Sequence, residues 1–538
     1  MLNSPFTRLC VAASIISGAV TTASFAQEVR LVGKDSNIDV IGNLLSSKDG
    51  KYLVETDIGE FVINQDLVTC EGEACPTEQT YVYDLEISAP DEIAEVLVPI
   101  IAEGYAAAAL EAEAQLYDEN GEPVDTETVD VGDHKYGEEH DFALLLTDLE
   151  GDDVATFGIH TANGARLFER LAKKDASIIF SETSARKADR SIVSESSGGN
   201  LRDFDQERVI AVDGFAMIVN PLNQIPDLSV KQARDIMSGD IVNWSEVGGS
   251  DAPIHVYSFD PDTEAYHHIE KLLFKKSDKT LTNESSIVHD RTELTTAIME
   301  DVAGFGIVNY ASKRDARAVP LRTTCGIVQD PSLFNLKTEE YYLQERVVAY
   351  NRSDIDGYAR ELVDFLDDGS LDGLVAKAGY IDLSITSDSQ ERAAERLVAE
   401  LEEGENEYEA ELVEDLLKNM NTHARLSTTF RFAPGSKRFD NKAERDLMRM
   451  VNYLAETKPS EVVIVGFTDN KGPFDSNLLI SQERAQAALD HLVEVATGGE
   501  LEGITLKAAG YGELEPVACN DSPRGRAINR RVEVWIAG

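Results

Sequence analysis

An apolar run from Val462 to Val465, closed by Gly466-Phe467-Thr468-Asp469-Asn470, most constrains what this chain can fold into. The run reads as a buried strand, and a helix signature follows at once. In Asn477-Leu478-Leu479-Ile480-Ser481-Gln482-Glu483-Arg484-Ala485, Ser481 is a candidate cap, and Ala485, Ala488, Leu489 and Leu492 then fall on one face. A carboxylate thus stands at a strand's end and a guanidinium in the first turns of the next helix. Such a pair can hold the zwitterionic end of an amino acid, with Asp469 taking the ammonium and Arg484 gripping the carboxylate through two hydrogen bonds. The competing reading is a structural salt bridge between the two side chains.

A third motif, Asn529-Arg530-Arg531-Val532-Glu533, lies close to the C-terminus. With the three in this order, residues 426–538 resemble the OmpA-like peptidoglycan-binding domain, whose pattern is T-D, then N-x-x-L-S-x-x-R-A, then N-R-R-V-E. Ile480 replaces the Leu, and the rest of these motifs matches. The resemblance implies a βαβαββ-type domain that binds the diaminopimelate of peptidoglycan stem peptides without cleaving them. It assigns diaminopimelate binding to Asp469 and Arg484, places Thr468 and Asn477 in the same motifs, and matches Arg530 and Arg531 to the terminal arginine pair.

The chain opens as an export signal. Arg8 precedes an apolar run from Leu9 to Val20, and Ser24-Phe25-Ala26 fits a small-x-small cleavage site before Gln27. The run is short for a membrane span, and no second run of membrane length is read after it. A net charge of −49, from 98 acidic and 49 basic residues, repels nucleic acid and anionic membrane surfaces. In an exported protein Cys70 and Cys75, five residues apart, are expected to close a small disulfide loop. Cys325 and Cys519 are left over, as a bridge between domains or as buried thiols.

Five segments follow: a signal peptide over 1–26, a small β domain over 27–78, an α/β region over 79–384, a helical linker over 385–425, and the C-terminal domain over 426–538. In the first domain short runs such as Tyr52-Leu53-Val54 alternate with Gly, Asp and Asn turns, as antiparallel strands do. In the α/β region, strands are expected at 175–180, 209–219 and 304–308 and a helix at 228–238. The linker is rich in Glu, Ala, Leu and Lys, with Leu397, Leu401, Leu412, Leu416 and Met420 near helical spacing and Gly404 as a break. Fully extended as helix it would reach about 60 Å.

Within the α/β region, Ile210 to Pro221 is followed by Ile236-Met237-Ser238-Gly239 and by Asn243-Trp244-Ser245-Glu246-Val247-Gly248-Gly249. This order resembles the periplasmic phosphate-binding proteins of uptake transporters, and it implies two α/β lobes hinged around a cleft. The cleft loops depart from that family. Where the later loop typically reads S-R-D-x-G-S-G-T, the sequence has Ser258-Phe259-Asp260-Pro261-Asp262-Thr263-Glu264-Ala265, and a G-S-x-T-type turn becomes Ser88-Ala89-Pro90-Asp91-Glu92. The arginine and both glycines are gone and acids have arrived. Each carboxylate at about 4 Å repels an anion by about 4 kcal/mol at an effective dielectric near 20. Ser88, Ser181 and Thr263 remain as candidate oxyanion donors. His267 and His268, adjacent on a helix, point to different faces, so they are not expected to hold a metal.

The sequence therefore predicts a multidomain α/β and α+β protein without catalytic site, metal or cofactor. It is expected in the periplasm, bound to peptidoglycan, with outer-membrane association open. Its central domain takes a small oxyanion or a protein partner. A wall-tethered phosphate receptor for a transporter and an envelope enzyme targeted to peptidoglycan are the alternatives.

Overall fold

The computed structural model describes residues 28–537 except 35–37, 49–50, 57, 65–66, 73–74, 76–82, 125–139, 276, 404–409 and 433–438. The expected export signal lies outside the described residues. The chain divides into two compact units, Met1–Tyr81 and Val82–Gly538.

The first unit is a five-stranded antiparallel sheet whose central strands are Glu28–Gly33, Asp39–Lys48 and Lys51–Thr56. Its core is small, built on Val29, Leu31, Leu44, Val54 and Val68. A core of that size stabilises a domain weakly. The Cys70–Cys75 disulfide supplements it by tying the last strand, Val68–Glu71, to the turn after it.

In the second unit, a long sheet runs through the α/β region. The strand Glu207–Val219 organises it, buried along nearly all its length. Its first part pairs with Gln344–Asn351 and its second with Gly304–Asn309, so it belongs to both halves of the sheet. The first half is centred on the parallel strands Leu85–Ala89, Asp153–Thr161 and Ile178–Ser181. The second holds His255–Phe259 and Ser286–Val288 in parallel register. Helices cover the faces because their apolar stripes meet strands that are apolar on both sides, as in parallel sheets generally. Ser229 caps the helix Val230–Met237 through the amide of Gln232.

One helix corrects the reading that no second run of membrane length occurs. Ile93–Leu110 is long and apolar enough to cross a membrane by length and composition, with mean hydropathy 1.7. It instead packs in the core of the first half, where Ile93, Leu97, Ile101 and Tyr105 are buried. A helix that buries most of its residues in a core reads like a span in composition alone.

The C-terminal sheet places Arg531–Ala537 between Ala424–Arg431 and Glu461–Gly466, and Thr505–Gly510 lies parallel to Glu461–Gly466. The helices Asn441–Thr457 and Phe474–Val495 pack on one face. The expected linker over 385–425 is no linker. Its helices Glu391–Glu403 and Ala410–Thr422 bury Ala394, Leu397, Leu416 and Met420 against Val463, Val465, Phe467 and Trp535 on the sheet's other face. An amphipathic helix next to a two-faced apolar sheet buries its stripe there instead of bridging solvent.

The C-terminal domain docks directly on the α/β region. The Cys325–Cys519 disulfide joins them across 194 positions. Arg425 pairs with Glu340 and, at 3.0 Å, with Glu533, while Arg445 binds Asp367 at 2.6 Å.

Candidate functional site

The strand Glu461–Gly466 delivers Thr468 and Asp469 to its C-terminal end, and the helix Phe474–Val495 crosses beside it. Two glycines allow the close crossing. A Cβ on Gly466 would lie 2.1 Å from the Ser481 carbonyl oxygen, and one on Gly510 2.3 Å from the Gln482 nitrogen. Ser481 therefore does not cap the helix, as the sequence suggested. The helix starts seven residues earlier, and Ser481 is buried at the crossing, accepting a 2.9 Å hydrogen bond from the Gly512 amide.

Asp469 Oδ2 accepts a 2.6 Å hydrogen bond from Arg530, and Oδ1 accepts one from the Lys471 amide at 3.0 Å. Asn477 donates to the Asp469 carbonyl at 3.2 Å and also to Glu513, which fixes the loop. Arg484 is buried and lies over the Phe432 ring, 5.3 Å from its centroid. Among the described residues its guanidinium has no hydrogen-bond or ion-pair partner. Burial lowers its pKa, and the neighbouring Arg530 lowers it further against the pull of Asp469. Arg530 Nε and Thr468 Oγ1 are likewise buried without a hydrogen bond. The site thus holds one satisfied carboxylate and donors lacking an acceptor, which fits an incoming carboxylate.

Arg531 does not join this group. It is fully buried, pairs with Glu533 at 2.6 Å and with Glu515, and stacks on Phe467. Arg530 closes the helix Pro523–Asn529 and Arg531 opens the strand Arg531–Ala537, so the two neighbours leave the backbone from different elements and reach different partners.

In the α/β region the three candidate hydroxyls are engaged within the protein. Ser88 accepts from Arg170 at 2.7 Å, Ser181 donates to the Thr183 carbonyl at 2.9 Å, and Thr263 donates to the Asp260 carbonyl at 2.7 Å while capping the helix Glu264–Leu273. Of the loop acids, Asp260 and Asp262 are exposed, and only Glu264 is buried. The acids that do line the junction of the two halves come from elsewhere. Glu92, after the strand Leu85–Ala89, pairs with both terminal nitrogens of Arg291, at the start of the helix Arg291–Glu300. Glu182 and Glu264 flank His268 at 3.3 and 3.4 Å, and Asp213 accepts from Asn309 at 3.1 Å.

Burial pushes the Asp213 carboxyl up to about 8, with Glu92 and Glu182 adding to the effect. Burial and Asp91 raise Glu95 to about 8, and burial and Glu264 raise Asp91 to about 6. Burial works against the His268 imidazolium, but Glu182 and Glu264 outweigh it and lift its pKa to about 10. Among the described residues, no group of three or more His, Cys, Asp or Glu side chains is placed to hold a metal ion.

Residues 431–530 match the OmpA family, and residues 167–335 match a PBP superfamily domain. The peptidoglycan-binding protein ArfA of Mycobacterium tuberculosis is 36% identical over 90 residues, covering 17% of this chain and 26% of that protein. Motility protein B of Bacillus subtilis is 39% identical over 89 residues, 16% of this chain and 33% of that protein. The phosphate-binding protein PstS of Bacillus subtilis is 25% identical over 185 residues, 34% of this chain and 59% of that protein. The chain spans about a quarter of the length of the first curated relatives it matches. Among solved structures, an ABC-type phosphate transport receptor from Vibrio cholerae aligns with 55% of this chain and 99% of its own at 18% identity and a TM-score of 0.39.

Proposed function

We propose that this chain, which joins a phosphate-binding-protein-like domain of the PBP superfamily to a C-terminal OmpA-family domain, is a non-enzymatic periplasmic protein held non-covalently on peptidoglycan. The observation that carries the reading is Arg484, buried without an acceptor beside the Asp469–Arg530 pair. The side-chain end of diaminopimelate is a zwitterion. Its carboxylate satisfies Arg484 and its ammonium joins Asp469, so both charges of the ligand meet opposite charges already desolvated by the fold. The name of the mycobacterial relative, a peptidoglycan-binding protein, supports the same assignment. Pull-down on purified sacculi tests it. The intact chain co-sediments, and folded Asp469→Ala and Arg484→Ala variants remain in the supernatant. Retention of both variants on sacculi overturns the assignment.

For the central domain we infer that inorganic phosphate binds weakly or not at all. The hydroxyls that remain from a phosphate cleft already have partners, and Glu92 neutralises Arg291. The domain then serves as a structural or partner-binding module carried on the wall. The rival reading, a wall-tethered phosphate receptor, draws support from the likeness to PstS. An enzymatic role is tested by incubating the protein with sacculi and measuring released muropeptides, for which none is expected.

A further inference from the structure

A pocket of about 530 Å³ lies where the helix Val230–Met237 of the α/β region faces the helix Pro523–Asn529 of the C-terminal domain. Its apolar wall includes Val230, Leu321, Tyr342 and Ile528, and the Cys325–Cys519 disulfide contributes Cys519 to the rim. Four cations line it, Lys231, Arg234, Arg322 and Arg524, against one carboxylate, Asp521. In a chain of net charge −49 such a balance is unusual.

Most of these charges are spent within the protein. Lys231 pairs with Asp235 at 2.5 Å, and Arg322 with Asp227 at 2.5 Å. Arg524 donates to the Tyr342 carbonyl at 2.8 Å and lies over its ring, and Asp521 accepts from Thr324 at 2.7 Å. Arg234 is the exception. Among the described residues its guanidinium has neither an ion-pair nor a hydrogen-bond partner, and its Nε is buried. A half-buried guanidinium whose Nε lacks an acceptor, in a pocket with an apolar wall, calls for an anion with an apolar body.

The same loop that walls this pocket touches the Asp469 site. Ala518, Cys519 and Asp521 line the pocket, while Asn520 between them accepts from the Asn470 amide at 3.4 Å and from Asn529 at 2.9 Å. One short segment therefore separates the two.

We propose that the pocket is a second peptidoglycan subsite, which takes the D-alanine end of the stem peptide whose diaminopimelate occupies the Asp469 site. Arg234 binds the terminal carboxylate, and Val230, Leu321 and Ile528 receive the alanine methyl. The inference rests on the diaminopimelate reading above. It adds that the solute-binding-like domain itself contacts the wall, through a surface that exists only when both domains are docked.

Titration calorimetry of the intact chain tests it with two disaccharide–peptide ligands. One ends in a free D-alanine carboxylate, and the other is identical but amidated there. The wild-type chain is expected to bind the free acid about tenfold more tightly, the worth of one charge-assisted contact. Arg234→Gln binds both at the amidated level, and Arg234→Lys recovers part of the preference. Equal affinity of the wild-type chain for the two ligands overturns the proposal, as does a full preference kept by Arg234→Gln. If Asp469→Ala binds both as the wild type does, the diaminopimelate reading fails. If Asp469→Ala weakens both while the tenfold preference is absent, that reading stands and the subsite alone fails.

Discussion

Arg530 Nη1 lies 2.6 Å from Asp469 Oδ2, so the carboxylate at the end of the strand Glu461–Gly466 pairs with an arginine 61 residues later and leaves Arg484 without a counter-ion. The simple salt bridge between Asp469 and Arg484 that the motif spacing allowed is thereby excluded. Its consequence is an uneven distribution of roles. Arg530 orients the Asp469 carboxylate, and Arg484 lies buried beside the pair without an acceptor of its own among the described residues.

Removing Arg530 leaves Asp469 a buried carboxylate without its cation. Arg530→Ala is expected to weaken peptidoglycan binding and also to lower stability by about 3 kcal/mol, because an uncompensated buried charge costs more than the lost pair contributes. Arg484→Ala, which removes a buried cation with no ion-pair partner among the described residues, leaves stability unchanged or raises it. Urea midpoints of the two variants check the contrast, and equal losses in both would refute it.

The junction between the domains holds a second buried network, in which Arg425 contacts Glu340 and Glu533, and Arg531 contacts Glu533 and Glu515. Arg425→Ala is expected to cost about 3–5 kcal/mol. Replacing Arg392, whose partner Asp330 is exposed, costs under about 1 kcal/mol. Denaturant unfolding of both variants supplies the comparison.

The two disulfides should differ in effect. In the chain-entropy account a loop spanning 194 positions stabilises by up to about 5 kcal/mol, and one spanning 5 by about 2 kcal/mol. Cys519→Ser is therefore expected to lower the melting temperature of the larger unit markedly, and Cys75→Ser to affect only the small β domain. Non-reducing peptide mapping verifies the pairings first.

Stability should fall with rising pH. Asp213 and Glu95 are held near 8 by burial and by neighbouring carboxylates, above their ordinary values of 3.8 and 4.5. A group raised in the fold contributes stability that is complete below its unfolded pKa and is lost as pH rises through the folded one. His268, lifted to about 10, behaves in the same sense at higher pH. The melting temperature is thus expected to drop between about pH 5 and pH 9, and Asp213→Asn to flatten the slope. A melting temperature that rises over this range contradicts the reading.

Much of this was legible in the sequence, and the gaps have a common cause. The strands near 178–181, 207–219 and 304–309 and the helix Val230–Met237 follow from local periodicity and caps, which need no knowledge of distant residues. Asp469, Thr468 and Asn477 come together because one strand and the helix after it carry them. Charge pairing is a long-range property. The partnerships of Arg530 with Asp469, Arg291 with Glu92 and Arg425 with Glu340 join residues 61 to 199 positions apart and leave no periodic trace. The supposed linker failed for a related reason. Its amphipathic stripe was visible, but the sheet face it covers is formed by residues beyond Glu461. Ser481 resembled a cap because serine favours both helix starts and tight helix–strand crossings, and only the close approach at Gly466 tells them apart.

The central claim is that Arg484 reads the carboxylate of diaminopimelate. Lysine is diaminopimelate without that carboxylate, so a stem tripeptide carrying lysine offers the ammonium alone. Calorimetric titration of the intact chain with the two tripeptides measures the claim directly. The account predicts that the wild-type chain prefers the diaminopimelate form by a factor on the order of 100, about 3 kcal/mol, and that Arg484→Ala removes the preference. Equal binding of both tripeptides by the wild-type chain, or a preference that survives Arg484→Ala, would contradict it.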